Sequence, residues 1–306
     1  MTSECNCCDH SYTPHFRSTW ARAVYNKIQN DRCLEDIDHR IWYKLENNNL
    51  LLENIRPLFI QFNEDNDTKE FLQKSYEKSE WLLTQLFHSV VTSLLTLFLT
   101  RTSTNGLLGR GSMFVYSTEQ FSSLLDIISN SETKKFQSLL DIGASDGTVT
   151  SQMEPLFNQI YVTEMSSTMQ WRLKQRGYTV LDTDNWQDLK FDVITLLNVL
   201  DRCEKPLTLL KNIREHLNET NGRLIVSIVL LFQQYFEYKN DHRPSEQLII
   251  DGNTPEEQIN SFILNVFQPS GFKCIKVTKL PYLCEGDLER SYYYLPDYIF
   301  VLEIDK

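Results

Sequence analysis

The sequence predicts an α/β protein: a Rossmann-like, seven-stranded, mostly parallel sheet with helices on both faces and an N-terminal helical region before it. Three observations predict this. The first is the stretch Leu139-Leu140-Asp141-Ile142-Gly143-Ala144-Ser145-Asp146-Gly147, where an apolar run meets an acid and then two glycines four residues apart. It reads as a buried parallel strand ending in a tight turn, with Thr148 and Val149 opening a helix. The second is the alternation of helix and strand patterns from Phe121 onward, the signature of a doubly wound sheet. The third is FDVITLL at 191–197, nearly continuous in apolar residues, as a strand buried on both faces requires.

The elements follow in order. A helix over 121–128 leads into the first strand, 138–142. A second strand covers 160–164, and a helix over 166–176 is closed by Gly177. Residues 179–181 form the third strand and 191–197 the fourth. A helix over 207–217 precedes Gly222, which turns into the fifth strand, 223–230. A helix over 256–267 ends at Pro269-Ser270-Gly271, and strands 272–280 and 298–304 close the fold as an antiparallel hairpin joined by an aromatic-rich loop.

Upstream, residues 1–40 are polar with a short helix over 20–28. Asn47-Asn48-Asn49 marks a turn before the apolar segment 50–62, and a polar break at 63–67 precedes a helix starting near Thr68. From 75 to 100 apolar residues come in pairs (Leu82-Leu83, Leu86-Phe87, Val90-Val91, Leu94-Leu95, Leu97-Phe98) separated by uncharged polar residues. So long an uncharged run invites a membrane reading. The two-on, two-off rhythm favours an amphipathic helix packed on a domain, with His88 on its polar side. The segment 101–114 holds Gly106, Gly109 and Gly111, three of the ten glycines. It reads as an ordered loop folded over the ligand pocket, with Gly109 and Arg110 at it. The divisions expected are 1–67, a polar and helical N-terminal region; 68–114, an amphipathic helix and Gly-rich loop packed on the core; and 115–306, the main domain.

Composition narrows the function. The chain has 306 residues, 41% apolar and 23% charged, as a globular protein with a sizeable core does. Its formal net charge of −11 argues against binding nucleic acid through phosphates. The cysteines number seven, and Cys33, Cys203, Cys274 and Cys284 read as solitary, which suits a reducing compartment. Cys5, Cys7, Cys8 and His10 cluster at the N-terminus without a second ligand pair for a metal; palmitoylation or a disordered tail are the other readings. No signal peptide stands out, so a cytoplasmic placement is expected, with endomembrane or mitochondrial association left open. A monomer is expected.

The glycine spacing is not the dinucleotide G-x-G-x-x-G. An acid two residues before Gly143 suits a cationic ligand better than a phosphate, and S-adenosyl-L-methionine, with an amino group and a sulfonium, fits that description. Asp141 would hold the amino group through water or backbone. Glu164, at the end of the second strand, would accept the ribose hydroxyls. Asp184 and Asn185 would meet an adenine edge, with Trp186 over its face. After the fourth strand, Asn198 and Asp201 supply an amide and a carboxylate to one pocket. Tyr282, Glu285, Asp287, Tyr292, Tyr293 and Tyr294 crowd the last loop as an aromatic and acidic rim. No Pro-Pro follows Asn198, which makes exocyclic base amines a poor substrate. The order of strands matches the class I S-adenosylmethionine-dependent methyltransferase fold.

Several segments are more specific: EKSEWLLTQLFHSVVTSLLTLFLTRTSTNGLLGRGSMFV, LLDIGASDGTVT, IYVTEMSSTM, NWQ, LNVLDRCEKPLTLLK, and LPYLCEGD followed by YY. With these the chain resembles the DREV family (methyltransferase-like protein nine), protein-histidine N-pros-methyltransferases. The resemblance runs from about Tyr76 to Leu302. Ser145 departs from it, standing where the family's D-L-G-A-G-D-G has its middle glycine. The N-terminus also lacks the hydrophobic leader of some members. The resemblance implies methylation of histidine Nδ1 in His-x-His motifs of proteins, with a small middle residue and S-adenosyl-L-homocysteine as product. It implies cofactor contacts at Asp141, Gly143, Glu164 and Asn198, and substrate contacts at Asn198, Asp201, Tyr282 and Tyr293. Asp201, Asn198 and Tyr282 are the expected catalytic residues, and Ser145 sits in the cofactor turn. The alternatives are a methyltransferase for a small molecule or another side chain, and a catalytically silent cofactor-binding module, to which Ser145 points.

Overall fold

A computed structural model describes residues 18–81, 84–85, 108, 111–127, 136–183, 186, 189–237, 239 and 241–306. Its eight-stranded sheet comprises β1 (Met113–Phe114), β2 (Phe136–Ile142), β3 (Phe157–Thr163), β4 (Thr179–Val180), β5 (Val193–Leu197), β6 (Arg223–Val229), β7 (Phe272–Glu285) and β8 (Tyr292–Ile304). In space the order is β1-β7-β8-β6-β5-β2-β3-β4. Strands β2 to β6 pair in parallel, while β8 on β6, β7 on β8 and β1 on β7 are antiparallel. The described helices are α1 (Thr19–Glu35), α2 (Asn66–Ser79), α3 (Thr118–Leu124), α4 (Thr148–Met153), α5 (Ser167–Gln175), α6 (Pro206–His216) and α7 (Pro255–Ser261), which runs into a π-helical turn, Phe262–Phe267.

Sheet alternation makes two cores. Leu140, Ile194, Leu224 and Val226 point to one face, where Leu210 and Ile213 of α6 and Ile259 of α7 cover them. Their strand neighbours Leu139, Val193 and Ile225 point to the other, against Phe121 of α3 and Val149 and Met153 of α4. Helices on both faces of a largely parallel sheet are what the continuous apolar strands require. The starts are set locally. Ser117 with Gln120, and Thr254 with Glu257, form capping boxes for α3 and α7. Pro206 and Pro255 occupy first helical positions, where a missing N–H costs nothing.

The N-terminal segment packs on the antiparallel half of the sheet. Leu34, Trp42, Tyr43 and Leu72 join the same core as Leu280, Tyr292 and Ile299. Lys279 of β7 donates to the carbonyls of Ile41 (3.1 Å) and Lys44 (3.0 Å), and Ile60 N–H donates to Val277 O at 2.8 Å. Each buried large apolar side chain is worth about 1.5–3 kcal/mol. An exposed i,i+4 pair such as Glu70–Lys74 adds about 0.5 kcal/mol or less, so apolar burial holds the segment.

Several expectations change. The sheet has eight strands, not seven: Met113 and Phe114, read as loop, pair with Cys284 and Leu283 at the sheet edge. A two-residue strand carries no periodicity to read. The last two strands are much longer than expected, and the tyrosines assigned to an aromatic loop lie within them. Tyrosine's preference for a half-buried pleated surface explains this. The apolar segment 50–62 forms short 3-10 turns and an isolated bridge of Phe59 to Val277. The helix drawn over 75–100 does not start there: α2 ends at Ser79 with Glu80 as its C-cap. Most of that helix, the loop residues Gly109 and Arg110, and the Cys5, Cys7, Cys8 and His10 cluster lie outside the described residues. Cys33 is disulfide-bonded, against its reading as solitary, whereas Cys203, Cys274 and Cys284 are not in disulfides; single residues in sequence do not announce their pairing. No helix among the described residues is long and apolar enough to cross a membrane.

Candidate active site

Chain order reverses between β2 and β5: β3 and β4 extend the sheet to one side of β2, and β5 and β6 to the other. Ligands in such sheets bind in the crevice beyond the carboxyl ends of the strands at that point. The turn after β2 occupies it. Gly143 (φ 75°), Ser145 (φ 52°) and Gly147 (φ 79°) are all left-handed. Gly143 and Ala144 donate to Thr163 O at 2.9 and 3.1 Å, which ties the turn to the end of β3. A Cβ on Gly143 would stand 2.7 Å from Val199 Cγ2, so glycine is required for both conformation and space. Ser145 adopts its left-handed backbone at a cost of about 1 kcal/mol.

Asp141 sits beneath this turn, 2% exposed. One carboxylate oxygen accepts from Thr150 Oγ1 (2.6 Å) and the other from Thr195 Oγ1 (2.7 Å). Burial pushes its carboxyl up to about 6, against the two hydroxyl donors. Asp141 therefore braces β2, α4 and β5 from beneath the turn. Glu164, directly after β3, accepts from Ser145 N–H at 3.0 Å and from Ser166 N–H at 2.9 Å. Burial raises its carboxyl as well. Asp184 and Asn185 lie outside the described residues. Trp186 is not available to cover a ligand: it is 1% exposed, in the core, edge-on to His216 at 5.2 Å. An indole placed where apolar area can be buried goes into the core.

A second set gathers where β5, β6 and β8 meet. Asn198 follows β5 in a left-handed conformation (φ 54°) that asparagine tolerates better than most residues. Its Nδ2 donates to Ser227 Oγ of β6 at 2.8 Å and to Asp297 Oδ2 of β8 at 3.0 Å. Asp201 lies one turn on, with Oδ2 3.6 Å from Arg202 Nε and its carbonyl accepting from Tyr235 N–H at 2.7 Å. Among the described residues, Asn198 Oδ1, Asp201 Oδ1 and Asp297 Oδ1 are buried without a hydrogen-bond partner. Three orphaned acceptors in one cluster make a site for donors. Tyr282 borders it, half-buried, with its hydroxyl on Met113 Sδ, a weak acceptor. Tyr293 is held elsewhere: its hydroxyl meets the Asp287 carboxylate at 3.0 and 3.1 Å, with the Arg290 guanidinium 5.1 Å from its ring. Register nonetheless puts Tyr293 opposite Cys284, on the hairpin face that carries Tyr282 and Asp297.

Asn198, Asp201 and Tyr282, expected from the sequence to share a pocket, lie near one another, and Asp297 and Ser227, which the sequence did not single out, join them. The signal for Asp297 was an acid inside LPDYIFVL, a run otherwise fit for a buried strand.

Burial pushes Asp297 up to about 7, with the nearby Asp201 carboxylate adding to the shift and bonds from Asn198 and Ser227 opposing it. Asp201 is raised too, first by burial. The folded chain thus retains a proton that an unfolded carboxyl near 3.8 would release. The contribution of Asp297 to stability is full below that value and is lost as pH rises through 7. Asp297→Asn is therefore expected to gain on the wild type as pH rises from 5 to 8. Melting temperatures of both across that range test it, and a constant difference would disprove it.

Among known proteins, the profile of the DREV methyltransferases matches residues 42–304. Solved structures to which the chain shows similarity include an S-adenosylmethionine-dependent methyltransferase from Clostridium acetobutylicum, 14% identical, covering 72% of this chain and 98% of its own, TM-score 0.39. The magnesium protoporphyrin IX methyltransferase of Synechocystis with bound S-adenosylmethionine is also 14% identical, covering 60% of this chain and 78% of its own, TM-score 0.38. N-methyltransferase NodS of Bradyrhizobium japonicum, with S-adenosylhomocysteine, is 14% identical over 61% of this chain and 87% of its own, TM-score 0.39. The family profile spans the first sheet strand, the glycine turn, the Asn198 cluster and the closing hairpin, and by that match the chain belongs to the DREV methyltransferase family.

Proposed function

We propose that the chain methylates Nδ1 of histidine in His-x-His motifs of proteins, using S-adenosyl-L-methionine and releasing S-adenosyl-L-homocysteine. The observation that carries this reading is the orphaned, buried Asp201 Oδ1 beside Asn198 Oδ1 at the end of β5. Acceptors without donors of their own suit the N–H of a neutral imidazole and the ammonium of the cofactor.

The residues present fit that cofactor. The turn at Gly143 and Ser145, braced by Asp141, lets backbone approach it, and Glu164 offers a carboxylate at the neighbouring strand end for the ribose hydroxyls. Asp184, Asn185, Gly109 and Arg110 complete the proposed contacts from outside the described residues. When bound, the cofactor supplies an electrophilic methyl group on a sulfonium.

The rest falls to the protein. Histidine Nδ1 is nucleophilic only as a neutral ring with its proton on Nε2. Asp201 accepts that Nε2–H, selects the tautomer and stabilises the positive charge that develops on the ring. Asn198 and Tyr282 fix the ring plane, and Tyr293 flanks the substrate once released from Asp287. No strong general base is required, because positioning dominates a displacement of this kind.

The test is mass spectrometry of a His-Ala-His peptide incubated with the protein and S-adenosylmethionine. One added methyl, assigned to Nδ1 against standards, is expected. Turnover of small molecules with none on the peptide would move the reading to a small-molecule methyltransferase. Absence of both turnover and cofactor binding would leave a silent module.

A further inference from the structure

Asp297 stands on the face of β8 where its register neighbours are Leu280 of β7 and Val229 of β6, and it is fully buried. No cation pairs with it among the described residues; its carboxyl accepts from the Asn198 amide through Oδ2, and Oδ1 has no partner. A carboxyl so placed costs several kcal/mol that a hydrocarbon side chain would not. Its bonds say what it does there. The end of the Asn198 side chain facing it is the NH₂ end, the orientation that the ionised carboxylate, which only accepts, requires. One amide hydrogen goes to Asp297 Oδ2 at 3.0 Å and the other to Ser227 Oγ at 2.8 Å. Rotating the amide by half a turn would set its carbonyl oxygen against the ionised carboxylate and break that bond.

We propose that Asp297 is a positioning residue: together with Ser227 it locks the Asn198 amide so that Oδ1 faces the site as an acceptor, which selects an N–H donor on the ligand that meets it. The inference rests on the reading above only in taking Asn198 as part of the site. The geometry also explains why Oδ1 is left buried and unpartnered.

A double-mutant cycle separates this role from a structural one. Binding of S-adenosylhomocysteine by calorimetry and the kcat and KM for a His-Ala-His peptide are both measured. Asp297→Leu, which suits the apolar surroundings, is expected to cost at least tenfold in whichever of these Asn198→Ala also impairs. In an Asn198→Ala background the same change is expected to cost less than twofold. Asp297→Asn, which still offers an acceptor oxygen, is expected to stay within about threefold of the wild type. A reciprocal pair guards against misfolding: Asn198→Asp alone sets two carboxylates together and is expected to lose binding, and adding Asp297→Asn to it is expected to restore most of it. Equal costs of Asp297→Leu in both backgrounds, or no restoration by the reciprocal pair, would overturn the proposal. So would Asn198→Ala leaving both ligands unaffected. If the wild type fails to methylate the peptide but binds S-adenosylhomocysteine, the histidine reading fails while the binding arm still decides this one.

Discussion

Asp201→Asn is expected to abolish most methyl transfer to a His-Ala-His peptide, by roughly 10²–10⁴-fold in kcat, while affinity for S-adenosylhomocysteine stays near that of the wild type. Asparagine has almost the same shape but can turn an NH₂ group toward the substrate's Nε2–H, where two donors would oppose each other. It also removes the negative charge that a methylated, positively charged ring calls for. The change is expected to cost no stability. Asp201 carries an unpartnered buried oxygen, and burial holds its carboxyl above the ordinary value, with Asp297 close by. Replacing it with a neutral isostere relieves that strain, so the variant's melting temperature is expected to equal or exceed the wild type's. Loss of turnover with a retained or raised melting temperature marks a residue kept for chemistry. Wild-type turnover in Asp201→Asn would remove the tautomer role altogether.

How much of this could be read in the sequence depends on how local each feature is. The glycine turn was legible because its demands are met within one short stretch, residues 139–147: an apolar strand end, an acid, and small or left-handed positions at Gly143, Ser145 and Gly147. Glu164 was legible because a parallel strand that follows a βα unit must end beside the first, and register sets Ile142 opposite Thr163, the residue before it. Asn198 and Asp201 were legible as a pair just past a strand end. Asp297 was not. Its role exists only because β8 returns antiparallel to β6, which puts Val229 opposite Asp297 and brings the acid to an amide 99 residues earlier in the chain. Trp186 failed for the opposite reason: its local setting, a polar segment after a strand, said exposed, and the space against His216 buried it. Tyrosines 292 to 294 failed through length. A hairpin with strands of 14 and 13 residues is longer than any local pattern in that stretch announces.

Glu164→Ala carries the largest effect expected on cofactor affinity, a loss of about 100-fold or more for S-adenosylhomocysteine by calorimetry. Two losses combine in it. The carboxylate proposed to accept both ribose hydroxyls disappears, and charge-assisted bonds of that kind are worth about 1.5–3 kcal/mol each when buried. The second loss lies in the protein itself. Glu164 accepts from Ser145 N–H in the glycine turn and from Ser166 N–H at the cap of α5, so alanine frees the turn that must fit the cofactor. Ser145 holds a left-handed conformation without glycine's freedom, and once that bond is gone its backbone is expected to relax toward φ < 0. Glu164→Gln separates the two losses. It keeps one acceptor oxygen, so it is expected to retain the bond to one N–H while giving up bidentate acceptance of the ribose, and to fall between alanine and wild type. Cofactor affinity unchanged in Glu164→Ala would detach this carboxylate from the ligand and leave it as a brace of the turn alone. Affinity lost equally in both variants would make the bidentate contact, and not the turn, the dominant part.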